Sequence, residues 1–210
     1  MEKRKRGRPF GTSKNNENLF LDPGQLRKLF GAIKEAEDSK YGLAFGLIYS
    51  LGLRVSELTS LRMKDVSIGK NYATITINGK KNGRSRTYDS QELSETLVKN
   101  LASWIQNERG KNDNPFLFPA KFGDEKSLDV QSVKMQFKRY LEKAGLPGYY
   151  SVHNLRASCA VNLIKEKDAS AAEIMRWLRL RTIQNAQVYF DRIEYKETGL
   201  KVKNLCQGLF

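Results

Sequence analysis

A chain of 210 residues is long enough for one domain with a real core, or for one domain and a short arm. Its 37 Lys and Arg against 23 Asp and Glu leave a formal charge of +14, which favours a polyanionic partner, nucleic acid ahead of an acidic membrane surface; the alternative is a basic protein kept soluble by its charge. No run is long and apolar enough for a membrane span or a secretory signal, and two distant cysteines, Cys159 and Cys206, with the single His153 argue against a structural zinc site or a disulfide framework, so the cytoplasm fits.

Residues 1–18 carry Lys3, Arg4, Lys5, Arg6, Arg8 and Lys14, with Gly7, Pro9 and Gly11 opposing a helix. They predict a flexible basic arm. Within it Arg6-Gly7-Arg8-Pro9 resembles the core of an AT-hook, a flat strip that lies in a narrow A·T minor groove. A nonspecific basic tail accounts for the same residues equally well. In either case Arg4, Arg6 and Arg8, and outside the arm Lys81, are candidate DNA contacts.

Asp22-Pro23 reads as a helix N-cap and first turn. Leu26, Leu29, Phe30 and Ile33 follow at helical spacing. Tyr41 to Ser50 is apolar nearly all round, which predicts a buried central helix, and a short helix is expected over Val55 to Leu61. Tyr72 to Asn78 alternates as a strand, Gly79-Lys80-Lys81-Asn82-Gly83 reads as a turn, and Arg84 to Tyr88 as the return strand. Further helices are marked by Leu93, Leu97, Leu101, Trp104 and Ile105, and by Val133, Phe137, Tyr140 and Leu141, with Gly145 and Pro147 as stops. His153 to Ile164 is expected to be helical. Ser170-Ala171-Ala172-Glu173 is a capping box for a helix from Ala171 to Arg179, and a last short helix holds Tyr189. The fold class is mainly α with a small antiparallel β-sheet (α+β).

Two cations sit where cations are costly. Arg54 follows the apolar helix directly, in Leu51-Gly52-Leu53-Arg54-Val55-Ser56-Glu57-Leu58. A guanidinium beside a core needs a partner or a ligand, and Glu57 lies one helical turn on. His153 and Arg156 also lie one turn apart. Such a pair suits a phosphate, because Arg forks onto two oxygens and His exchanges a proton near neutral pH. A structural Arg–Glu pair and a capping or packed histidine are the plainer readings of each motif alone. The chain has no dense carboxylate cluster of the kind that holds two metals, so the chemistry expected needs no metal or other cofactor.

The segments Leu51 to Leu58, His153-Asn154-Leu155-Arg156 and Thr182-Ile183-Gln184-Asn185-Ala186-Gln187-Val188-Tyr189 occur in that order, with a lysine-bearing turn between the first two. They resemble the tyrosine recombinase (phage integrase) family. The resemblance covers residues 19–195 as a catalytic domain, without the N-terminal core-binding domain that many members carry, and leaves 196–210 as a tail. That tail would dock either on a neighbouring protomer or on its own domain. The resemblance implies that Arg54 and Arg156 clamp the scissile phosphate, that Glu57 supports them, and that His153 is a general acid/base. It makes Lys80 the acid for the leaving oxygen, with Lys81 as the alternative because adjacent lysines leave the register open. Tyr189 is the implied nucleophile, forming a 3′-phosphotyrosyl link. The implied partners are double-stranded DNA and three further copies of the chain in a tetramer, with no membrane.

One position departs from the family pattern. Leu180 stands where the family usually has His or Trp, and Arg179 stands where a Gly usually precedes it. Leucine cannot donate a hydrogen bond to phosphate. Trp177 and Arg181 are the nearby side chains that can donate instead. Besides a site-specific recombinase, the pattern therefore admits a catalytically weakened DNA-binding protein, and also a type IB topoisomerase-like activity.

Overall fold

The computed structural model describes residues 19–69, 72–81, 84–109, 113–121 and 125–193, and at 79–81 and 84–91 it describes the backbone alone. The expected arm, with Arg4, Arg6 and Arg8, and the expected tail lie outside the described residues.

Asp22 opens the first helix as its sequence predicts. Its side chain accepts the Gln25 N–H at 2.9 Å, and the Gln25 side chain accepts the Asp22 N–H at 3.0 Å. Helix α1 (Pro23–Glu35) then buries Leu26, Leu29 and Ile33 on one face. Helix α2 (Ser39–Leu51) is buried from Leu43 to Ile48 and again at Leu51, so it runs through the core rather than over it. Gly52 ends α2 in the left-handed conformation, at φ 57°, and turns the chain into α3 (Val55–Ser60).

A short 3₁₀ turn (Met63–Asp65) leads into a three-stranded antiparallel sheet, β1 (Val66–Ile68), β2 (Ala73–Lys81) and β3 (Arg84–Glu92), ordered β1-β2-β3. Ala73, Ile75 and Ile77 form its buried face, as the alternation predicts. The turn expected at Gly79 to Gly83 is shorter than its composition suggests. Lys80 pairs with Ser85 and Lys81 with Arg84, so both lysines belong to the end of β2. Gly, Lys and Asn have turn chemistry, but ladder hydrogen bonds to β3 hold this backbone extended. The register shifts between Thr76 and Asn78, an irregularity that no local pattern announces.

Helix α4 (Glu95–Ser103) continues into a π-helical turn (Trp104–Glu108), followed by α5 (Val130–Lys143), α6 (Val152–Lys167), α7 (Ala171–Trp177) and α8 (183–193). The capping box at Ser170 is present, with the Glu173 carboxylate accepting from both the backbone N–H and the hydroxyl of Ser170. Helix α7 stops two residues short of the expected Arg179, because Arg179 itself takes φ 54°.

The start of the fold pins α6. Ser158 Oγ accepts the Leu21 N–H at 2.8 Å and donates to the Asn154 carbonyl at 2.8 Å, while Asn154 Nδ2 donates to the Leu19 carbonyl at 2.6 Å. The apolar interior forms two clusters. One joins α1 to α5 and the sheet; the other joins α6, α7 and α8 around Cys159, Val161, Ile174, Leu178, Ala186 and Tyr189. Gly52 lies where the two meet. Among the described residues no helix is long and apolar enough to cross a membrane.

Candidate active site: three guanidinia around one carboxylate

The Glu57 side chain is buried in the first half of α3 and gathers the cations of three separate elements. From the N-cap of α3, Arg54 Nη1 donates to Glu57 Oε1 at 2.6 Å, and the Arg54 N–H donates to Oε2 at 2.8 Å. From the turn after α7, Arg179 Nη2 donates to Oε2 at 3.2 Å. From α6, Arg156 Nη1 stands 3.8 Å from the same oxygen, beyond hydrogen-bond range. Burial pushes the Glu57 carboxyl up, but Arg179, the Arg54 N–H and guanidinium, and Arg156 together reverse this and hold it below the usual carboxylate range.

Arg156 is 1% exposed. Its Nη1 donates to the Gly52 carbonyl and its Nη2 to the Leu178 carbonyl. Burial, reinforced by Arg54, lowers it to about 10, while Tyr189 and Glu57 act the other way; it stays protonated at neutral pH. Arg54 differs in being 42% exposed along its side chain, so it can meet a ligand from solvent. One carboxylate among three guanidinia leaves a local excess of positive charge, the sign required to bind a phosphodiester and stabilise added charge on its oxygens.

Of the expected site residues, Arg54, Glu57 and Arg156 are brought together directly. Tyr189, on α8, is buried at 4% exposure and within electrostatic range of Arg156, with the Arg192 guanidinium 4.7 Å above its ring centroid. His153 occupies the first turn of α6, one turn ahead of Arg156, but it is exposed where Arg156 is enclosed. For Lys80 and Lys81 the backbone places both at the far end of β2. Leu180 is half-buried and packs against the cluster that contains Tyr189, Arg181 is exposed, and Trp177 is half-buried in that same cluster.

Sequence reasoning missed two contributors. One is the Gly52 carbonyl, which accepts from both Arg156 and Arg179. The other is Arg179, visible in the sequence only as a departure from the usual Gly. Its side chain is 2% exposed and bonds Glu57, the Gly52 carbonyl at 2.8 Å and the Trp177 carbonyl at 2.7 Å. Its occupation of the family's Gly position was the available signal, but no local spacing ties it to Glu57.

The model of the phage integrase family matches residues 19–194. The chain belongs to the phage integrase family. Tyrosine recombinase XerA of Pyrococcus horikoshii is 29% identical over 170 residues, covering 80% of this chain and 55% of the relative. Its namesake in Pyrococcus furiosus is 30% identical over 166 residues, covering 78% and 54%. This integrase-family chain thus spans about half the length of the curated relatives it matches. Among solved structures, XerA recombinase superposes with a TM-score of 0.69 at 20% identity over 86% of this chain and 65% of that one. XerH site-specific recombinase in a post-cleavage complex with palindromic difH substrate superposes with a TM-score of 0.71 at 23% identity over 90% and 54%. These structures share the fold of the integrase-family chain.

Proposed function

We propose that this integrase-family chain is a site-specific recombinase that cuts and rejoins double-stranded DNA through a covalent 3′-phosphotyrosyl intermediate. The observation that carries the reading is the cluster of Arg54, Arg156 and Glu57, with Tyr189 buried in the apolar cluster that α6, the helix of Arg156, also lines. The names of the relatives, tyrosine recombinases from several microbes, support it.

In this reading Arg54 and Arg156 hold the non-bridging oxygens of the scissile phosphate. The Tyr189 oxygen attacks phosphorus, forming the Oη–P bond as the P–O5′ bond breaks. The phenolic proton passes to a base, for which His153 is placed on the same helix as Arg156. Lys80, or Lys81, protonates the departing 5′-oxygen. The phosphotyrosyl bond preserves the energy of the phosphodiester, so attack by a 5′-hydroxyl of another strand rejoins DNA by the reverse steps. Exchange of four strands calls for a homotetramer on paired DNA sites, acting at the nucleoid in the cytoplasm, and the basic arm of residues 1–18 adds contacts to phosphates or a minor groove.

Incubation with a nicked suicide duplex tests the assignment. Wild type is expected to leave a covalent protein–DNA adduct resistant to denaturing gels, and Tyr189→Phe to leave none. Adducts that persist in Tyr189→Phe would remove Tyr189 as nucleophile.

The packing of Leu180 favours a second reading, a DNA-binding protein with weakened chemistry. An apolar side chain there supplies no donor, and losing one oxyanion donor costs about 10²–10³ in rate. Tight, salt-sensitive binding without adduct on any substrate would select this reading.

A further inference from the structure

Arg179 holds a conformation that its side chain disfavours. A non-glycine residue at φ 54° is strained, and such strain persists only where the surroundings over-determine it. Here the surroundings are four acceptors. Arg179 Nη1 donates to the Trp177 carbonyl at 2.7 Å, and Nη2 lies within 3.2 Å of the Leu51 carbonyl, 2.8 Å of the Gly52 carbonyl and 3.2 Å of Glu57 Oε2. Arg179 is as enclosed as Arg156, with 2% of its side chain exposed, and differs in donating directly to Glu57, so its effect on chemistry is expected to pass through its neighbours.

Two of those neighbours, Glu57 and the Gly52 carbonyl, also hold Arg54 and Arg156, the phosphate-holding groups of the recombinase reading. The two lone pairs of the Gly52 carbonyl serve Arg156 and Arg179. The Glu57 carboxylate is divided likewise, Oε1 to Arg54 and Oε2 to Arg179 and the Arg54 N–H, which leaves Arg156 3.8 Å away. Without Arg179, Glu57 Oε2 would keep only the Arg54 N–H and would turn an open acceptor site toward Arg156. The nearest remedy is for Arg156 to close that gap into a direct ion pair, giving up its carbonyl anchors and its aim.

We infer that Arg179 is a positioning residue for strand transfer: it occupies Glu57 and the Gly52 carbonyl so that Arg54 and Arg156 stay aligned for a phosphate. The inference rests on the recombinase reading. It also explains how an arginine can stand beside a leucine at the position that lacks a phosphate donor. A third fixed positive charge on Glu57 leaves Arg54 and Arg156 with more of their own charge for the substrate.

Three proteins decide it: wild type, Arg179→Gly, which relieves the backbone and removes the charge, and Arg179→Lys, which keeps the charge but loses the fork. Single-turnover cleavage of the nicked duplex, DNA affinity and the pH–rate profile are measured for each. Arg179→Gly is expected to cleave about 10- to 100-fold more slowly, the size of effect seen for supporting residues around a site, with affinity changed less than about threefold. Its acid limb is expected to move to higher pH. Glu57 is faced by Arg54 from the start of α3, Arg156 from α6 and Arg179 from after α7, so losing one of the three lets its carboxyl take a proton sooner. Arg179→Lys is expected to restore the acid limb and only part of the rate.

Cleavage by Arg179→Gly within about threefold of wild type, with the acid limb unmoved, overturns the inference and leaves the recombinase reading standing. Should that variant not fold, Arg179→Lys decides, because a lysine cannot span the four acceptors and a wild-type rate would exclude positioning. A wild type that forms no adduct removes the recombinase reading, and this inference with it.

Discussion

Glu57 is the residue on which the site depends, since it is the shared anion of Arg54, Arg156 and Arg179. Its folded carboxyl lies below the ordinary value of 4.5, so folding favours its ionised form. The stability this provides is complete above the unfolded value and is lost as pH falls through the lower folded value. The urea midpoint is therefore expected to drop on going from pH 6 to pH 3, with part of the drop due to Glu57. Glu57→Gln is expected to cost about 3 kcal/mol at neutral pH, as removal of one partner from a buried ionic cluster does, and to flatten the acid dependence. An acid profile as steep in Glu57→Gln as in wild type would assign the effect to other carboxylates. The Arg54–Glu57 pair was legible in the sequence because one turn of helix carries it, while Arg156 and Tyr189 were set beside it only by the family resemblance. Arg179 was not legible, because its partner Glu57 lies 122 residues away in the chain, and because an arginine at positive φ has no sequence signature.

The junction of α2 with the end of α7 brings these side chains together, and Gly52 lies in it against Leu178, Cys159 and Trp177. A Cβ at Gly52 would lie 2.3 Å from Leu178 Cδ2, and the backbone there is at φ 57°. Gly52→Ala is expected to lose about 1–2 kcal/mol to conformation and about 1–3 kcal/mol to overpacking, measured by urea denaturation, and to slow cleavage by displacing the carbonyl that anchors Arg156. Gly31 in α1 is the control. A Cβ there meets nothing within 4 Å, so Gly31→Ala is expected to gain about 1 kcal/mol from helix propensity. Equal effects of the two substitutions would remove the steric account of Gly52. Helices α1, α2, α5 and α6 were legible because apolar spacing and caps are local signals. The hairpin was read too short because Gly79, Lys80 and Lys81 have turn chemistry, while the partners that extend β2 sit on another strand. Strand β1, only Val66–Ile68, exists through its pairing with β2 and leaves no pattern of its own.

At the scale of the whole molecule the dominant quantity is charge. Residues 1–18 hold six Lys and Arg against Glu2 and Glu17, so they carry +4 of the total of +14 and the remainder stays strongly basic. Binding to duplex DNA is therefore expected to be steeply salt-dependent, with each phosphate neutralised contributing about −0.9 to the slope of log K against log salt. Deleting residues 1–18 tests how the arm divides its work. If its cations lie along phosphates, the slope becomes shallower by several such increments, while affinity for poly(dA·dT) and poly(dG·dC) falls equally. If Arg6-Gly7-Arg8 lies in a minor groove, the loss is larger on A·T duplex, because the groove there is narrower and its potential more negative. A slope that changes by less than about 1 would show that the arm meets at most one phosphate. The +10 that remains, to which Arg54, Arg156 and Arg179 contribute, would then account for DNA binding alone.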